Sequence, residues 1–199
     1  SGWMSDASAP VTEMVKATLT SGLTVKQKSD EPQEPPVTGP VAKLEISGLP
    51  QPIEAGKPVG LTVTAKDADG NTVTGYTGTV RFTTNDGNPQ TSIPQSYTFT
   101  AADAGQKTFD GVSEGQKFVF TKAQATTTLR VEDAGNGAVF AEQNGIIVTP
   151  DKANALRFLT PQQTAVPASQ PSAPITVGMQ DRYGNAVKAA AGGQTVHLS

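Results

Sequence analysis

The chain has 199 residues, enough for one or two domains, and a net charge of −3, which leaves no basic footprint for nucleic acid. Its residues include no cysteine, which excludes disulfides, thiolate metal sites and thiol nucleophiles, and no apolar run approaches the length of a membrane span. With 36% hydrophobic and 17% charged residues, 20 glycines, 15 prolines and recurrent threonine, the composition favours strands and turns over helices.

Residues 1–28 form an N-terminal segment. Ser1-Gly2-Trp3-Met4 has neither the charged nor the apolar region of a signal peptide, so a secreted parent would carry its signal elsewhere. Alternation around Ser21-Gly22 predicts a β-hairpin over residues 15–25; a helix over 10–19 capped by Ser8 is the competing reading. Residues 29–40 are acidic and Pro-rich and predict an extended linker.

From Val41 onward, short strands recur at regular spacing. Leu44 with Ile46, then Val59, Leu61, Val63 and Ala65, then Val80 with Phe82 define single apolar faces. Tyr97 to Phe99, Phe109, Phe118 to Phe120, Leu129 with Val131, and Ile146 with Val148 complete the set. Turn chemistry separates them at Asp69-Gly70-Asn71, Asp86-Gly87-Asn88, Asp103-Ala104-Gly105 and Gly135-Asn136-Gly137. About seven strands in some 110 residues is the size of a β-sandwich of the immunoglobulin type, with all pairs expected to be antiparallel. Tyr76 is expected at a sheet edge with its hydroxyl in water, and Tyr97 at a corner.

The pattern then repeats. Leu44-Glu45-Ile46 is echoed by Leu156-Arg157-Phe158, the run from Val63 to Val73 by Val177 to Val187, and Thr79-Val80-Arg81-Phe82-Thr83 by Thr195-Val196-His197-Leu198-Ser199, each about 114 residues downstream. A period of that length is a whole small domain rather than a solenoid unit. The expected organisation is a complete domain at 41–150 and the first strands of a second at 151–199, joined by the short Thr149-Pro150-Asp151-Lys152 connector. The break within the second copy predicts a piece of a longer array.

Ala42-Lys43-Leu44-Glu45-Ile46-Ser47-Gly48-Leu49-Pro50, the run from Thr64 to Gly78, and Tyr97 to Gly105 resemble the bacterial Ig-like repeats of large secreted and surface proteins. The resemblance covers residues 41–148 and, in part, 153–199; it does not cover residues 1–40, and the run 110–115 departs from it as a longer loop. It implies an all-β, immunoglobulin-like antiparallel sandwich and a structural role as stalk, adhesin shaft, sheath or surface-layer component, outside the cell. Neighbouring Ig-like domains of the same or identical chains are the partners it implies.

No catalytic constellation is marked out. His197 is the sole histidine, which leaves a zinc site or a Ser-His-Asp triad without its usual parts. The acidic residues read as belonging to turns and wet strand faces, so the expectation is a protein that is not an enzyme and needs no cofactor. The run Asp67-Ala68-Asp69-Gly70-Asn71 resembles the start of a calcium loop, yet its twelfth position is Gly78 and its flanks are strands, which favours a β-turn. Asp67 and Asp69, together with Asp133, Asn136 and Asp151 grouped as a hinge near the domain junction, remain the calcium candidates. Two alternatives to the spacer stay open. One is assembly by strand complementation of the second domain, with the 15–25 hairpin as donor. The other is binding of a glycan or surface protein through loops 85–94 and 110–115; one tryptophan, Trp3, is thin support for a carbohydrate platform.

Overall fold

A computed structural model describes residues 38–160 and 174–189, which lie within the compact unit Pro36–Ser199. The hairpin expected at 15–25, residues 29–37 of the linker, Trp3 and the strand expected to carry His197 lie outside the described residues. The described part is all-β, with a single 3-10 turn at Ala101–Asp103.

In chain order the strands are β1 (Lys43–Ser47), β2 (Ile53–Glu54), β3 (Pro58–Val59), β4 (Leu61–Lys66), β5 (Thr79–Thr84), β6 (Ser96–Thr98) and β7 (Gln106–Phe109). They continue with β8 (Phe118–Val119), β9 (Gln124–Asp133), β10 (Phe140–Thr149), β11 (Ala155–Phe158), β12 (Val177–Gln180) and β13 (Ala186–Val187). One sheet has the order β1-β4-β7 and a second β2-β10-β9-β5-β6; β3 with β8 and β11-β12-β13 form two smaller sheets.

Period-2 alternation dictates the layering. Val80 and Phe82 of β5 and Thr127, Leu129 and Val131 of β9 are buried, facing Leu44, Leu61, Val63, Ala65 and Phe109 of the first sheet. Phe82, Phe109 and Phe118 come from three different sheets and meet edge to face, with centroids 5.2 to 5.6 Å apart. Such contacts add about 0.5–1.5 kcal/mol each beyond burial. This two-layered packing is consistent with a β-sandwich.

Several details correct the sequence reading. Pairing is not wholly antiparallel, because β2 runs parallel to the last two residues of β10 after the chain leaves β1 and crosses to the other sheet. Val59 does not share a strand with Leu61: a side chain at Gly60 would run into the Phe109 carbonyl, and at that close approach the chain passes from β3 to β4. Tyr76 is buried, and its hydroxyl donates to the Asp133 carboxylate rather than to water. Burial first, then that bond and the Asp133 charge, push the phenol well above its usual range. The Tyr97 hydroxyl donates to both Asp103 oxygens, at 2.9 and 3.1 Å.

The small sheet reproduces the pairing of the larger one. Leu156 opposite Met179 and Phe158 opposite Val177 stand where Leu44 faces Ala65 and Ile46 faces Val63. Gln180 opposite Ala186 matches the bridge between Lys66 and Thr72. The surroundings differ, since Leu44 is 3% exposed whereas Leu156 and Phe158 are 53% and 63% exposed.

Candidate docking site

The two Asp-x-x-Gly-Asn turns have one construction. In the upstream turn, Asp67 Oδ1 accepts the N–H groups of Asp69 (3.0 Å) and Asn71 (2.7 Å), while Oδ2 accepts Asn71 Nδ2 (3.1 Å) and the Gly39 N–H (3.2 Å). In the downstream turn, Asp181 Oδ1 accepts the N–H groups of Tyr183 (2.9 Å) and Asn185 (2.8 Å). Its Oδ2 accepts Asn185 Nδ2 (2.8 Å) and the Asp151 N–H (2.9 Å). Gly70 and Gly184 take φ values of 88° and 85°, a left-handed conformation that glycine adopts without a Cβ penalty. Each aspartate is therefore a buried clamp that ties the chain entering a repeat to the turn after its second long strand.

In the downstream turn the asparagine reaches further. Asn185 Nδ2 also donates to the Thr121 carbonyl at 2.7 Å, and Asn185 Oδ1 accepts the Ala123 N–H at 2.8 Å. One amide thereby pairs with the two backbone groups that a neighbouring strand would otherwise satisfy. Asn88 Nδ2 donates to the Tyr183 carbonyl at 3.1 Å. The Tyr183 ring packs on the upstream core and lies so close to Gly56 that a side chain there would overlap its hydroxyl. The Arg182 guanidinium lies 4.8 Å from that ring's centroid and pairs with Asp151 at 3.2 Å. The latter pair is open to solvent on the arginine side and of small value.

The surface that receives the turn is held by Asp86, the first residue of the Asp86-Gly87-Asn88 turn. Asp86 is buried; its Oδ2 accepts the N–H groups of Thr121 (2.7 Å) and Lys122 (3.0 Å), and Oδ1 accepts that of Asn88 (3.2 Å). Thr121 is fully buried and shares a 2.7 Å hydroxyl contact with Thr91. Asp67, Asp86 and Asp181 lie in turns, in keeping with the expectation of acids in turns and on wet strand faces, but all three are buried. They are buried because backbone N–H groups replace the water each carboxylate gives up.

The calcium candidates do not come together. Asp133 and Asn136 were grouped with Asp151 as a hinge, but β9 carries Asp133 to the end opposite Gln124, which pairs near the connector at Val148. Ten strand residues put that separation at about 30 Å. Asp133 Oδ1 accepts the Gly135 and Asn136 N–H groups, Asn136 Oδ1 accepts Ala138 N–H, and Asp69 is exposed. Among the described residues no three His, Cys, Asp or Glu side chains cluster as a metal site.

Burial raises the Asp181 carboxyl, but the Asn185 side chain and the backbone N–H groups of Asn185, Asp151 and Tyr183 outweigh it and hold the group below its usual range. Asp67 behaves alike, with Asn71, Gly39 and Asp69 as its donors. A carboxyl depressed in the folded state contributes stability that is complete above its unfolded value near 4 and is lost as the pH falls below it. The junction should therefore hold from neutrality down to about pH 4 and loosen progressively as the pH falls below that. The amide shifts of Ala123 and Asn185, followed by NMR, should move together in that window; shifts that stay flat down to pH 2 would contradict it.

No protein-family model matches the chain, and no curated protein does. Among solved structures, the chain is similar to surface layer protein SbsC, domains 4–9, at 16% identity and a TM-score of 0.35. The match covers 74% of this chain, which spans about a fifth of that one (21%). A likeness at this level does not establish a shared topology.

Proposed function

We propose that this chain is a structural spacer: immunoglobulin-like modules in tandem from a secreted or surface-anchored bacterial protein, stiffened where one module meets the next. The role is mechanical and not catalytic, and its partners are modules of the same kind. The observation that carries the reading is the Asn185 amide on Thr121 and Ala123, with Tyr183 packed over Gly56. Two such hydrogen bonds contribute roughly 1 kcal/mol each, and leaving the buried groups unpaired costs more. The short connector makes docking intramolecular, so that a modest interface suffices to keep the junction closed. Absence of cysteine and repetition of the 67–71 pattern at 181–185 support a module built for serial use outside the cell.

The test is 15N relaxation on the full chain. Amides of residues 41–150 and 175–189 should report one rotational correlation time, and Asn185→Ala should uncouple the second set and speed exchange at Ala123 by about tenfold. Two independent correlation times in the unmodified chain would remove the stiff-junction reading.

A further inference from the structure

Residues 67–71 and 181–185 share every internal hydrogen bond described above, and each aspartate holds the chain entering its repeat, yet only in the downstream turn does the asparagine bond to another part of the described chain. Among the described residues, nothing donates to Asn71 Oδ1, and Asn71 Nδ2 has one partner, Asp67, where Asn185 Nδ2 has two. The upstream turn therefore presents the same acceptor and the same spare N–H that Asn185 places on a strand end. β4 starts at Leu61, beside the end that carries Gly56, and finishes at Lys66, immediately before Asp67. Six strand residues put the turn about 20 Å from the receiving surface, at the opposite end of the same repeat.

We propose that the turn at residues 67–71 is a second docking element, which receives the end of a further β-module carrying a backbone carbonyl and N–H spaced as in Thr121 and Ala123. This rests on the stiff-junction reading. A contact that joins unlike ends of like units is heterologous and propagates as a linear array instead of closing on itself. The two turns differ at one informative position. Where Tyr183 lies over Gly56, the upstream turn has Asp69, which is exposed. An acid cannot fill the apolar place of the ring, so the upstream turn docks more weakly on an end built like that of residues 41–150. It favours a module that offers a hydrogen-bond donor there in place of the glycine hollow.

The test uses the full chain with residues 39–150 repeated in tandem, so that a downstream copy of Gly39 takes the place of Asp151 after Pro150. Amide exchange at the upstream copy's Ala123 reads the new junction, and the downstream copy's Ala123 reads the native one within the same molecule. The upstream Ala123 should exchange about tenfold more slowly than in the same chain with the downstream Asn71 changed to alanine. Asn88→Ala in the upstream copy, which leaves the turn itself untouched, should release it as well. Asp69→Tyr in the downstream copy should slow exchange further. If the native junction is protected while the new one exchanges at the Asn71→Ala rate, the 67–71 turn is not a docking element. If neither is protected, the stiff-junction reading itself has failed.

Discussion

Asp86→Ala is expected to destabilise the described unit by about 3 kcal/mol and to loosen the junction with it. Asp86 is 5% exposed, and its carboxylate accepts three backbone N–H bonds, two of them from Thr121 and Lys122. Alanine leaves those donors without a partner in a region that admits little water, at roughly 1–3 kcal/mol for each group that stays unsatisfied. For a unit of this size the loss corresponds to a fall in melting temperature of about 10 °C. Thr121 and Ala123 are also the groups that receive Asn185, so their displacement should raise exchange at Ala123 beyond the global effect. Asp86→Asn keeps an acceptor and should fall between the two. A loss below about 1 kcal/mol by denaturant unfolding would show that the loop is held by something other than this carboxylate.

Gly56→Ala should act on the junction with a smaller effect on the fold. Gly56 has a φ of 79°, which costs an L-residue about 1–2 kcal/mol, and its missing Cβ is the space that the Tyr183 hydroxyl occupies. Alanine should evict the ring and raise Ala123 exchange as far as Tyr183→Ala does. Because both changes remove one contact, the double variant should open the junction no further than either alone, a coupling that a double-mutant cycle reads directly. Fully additive effects would mean that the glycine and the ring act independently.

Much of the upstream fold was legible because its strands bury one face. Leu44, Val80, Phe82, Leu129 and Val131 alternate with exposed or half-buried residues, and period-2 patterning reports that burial. Ile53–Glu54 escaped because two residues make no period, and their parallel pairing with β10 depends on where the chain crosses between sheets. The aspartate turns were legible as turns, since Asp-x-x-Gly-Asn encodes a local carboxylate clamp and a left-handed glycine. Their docking role was not. Asn185 finds Thr121 and Ala123 more than sixty positions back, and Asp86 finds Thr121 thirty-five positions ahead. The available signal was repetition itself: the same five-residue pattern occurs twice, but one copy carries Tyr183 where the other has Asp69. The copies differ only at their two middle positions, Ala68 against Arg182 and Asp69 against Tyr183, and a difference confined to the tip of a duplicated turn marks the surface that meets something else.

The parallel pairing of β2 with the end of β10 bears on how the molecule would meet a pull. The chain enters β1 beside the Asp67 turn and leaves β10 beside Gly56, so its two exits lie at opposite ends of the repeat. Tension between them runs along the strand axes. Backbone bonds from β1 to β4 and from β10 to β9 and β2 lie across that line, so sliding either strand out must break several together. The load is shear, not peeling, and resistance to extension rests on the rate of that collective rupture rather than on the equilibrium stability of any one pair.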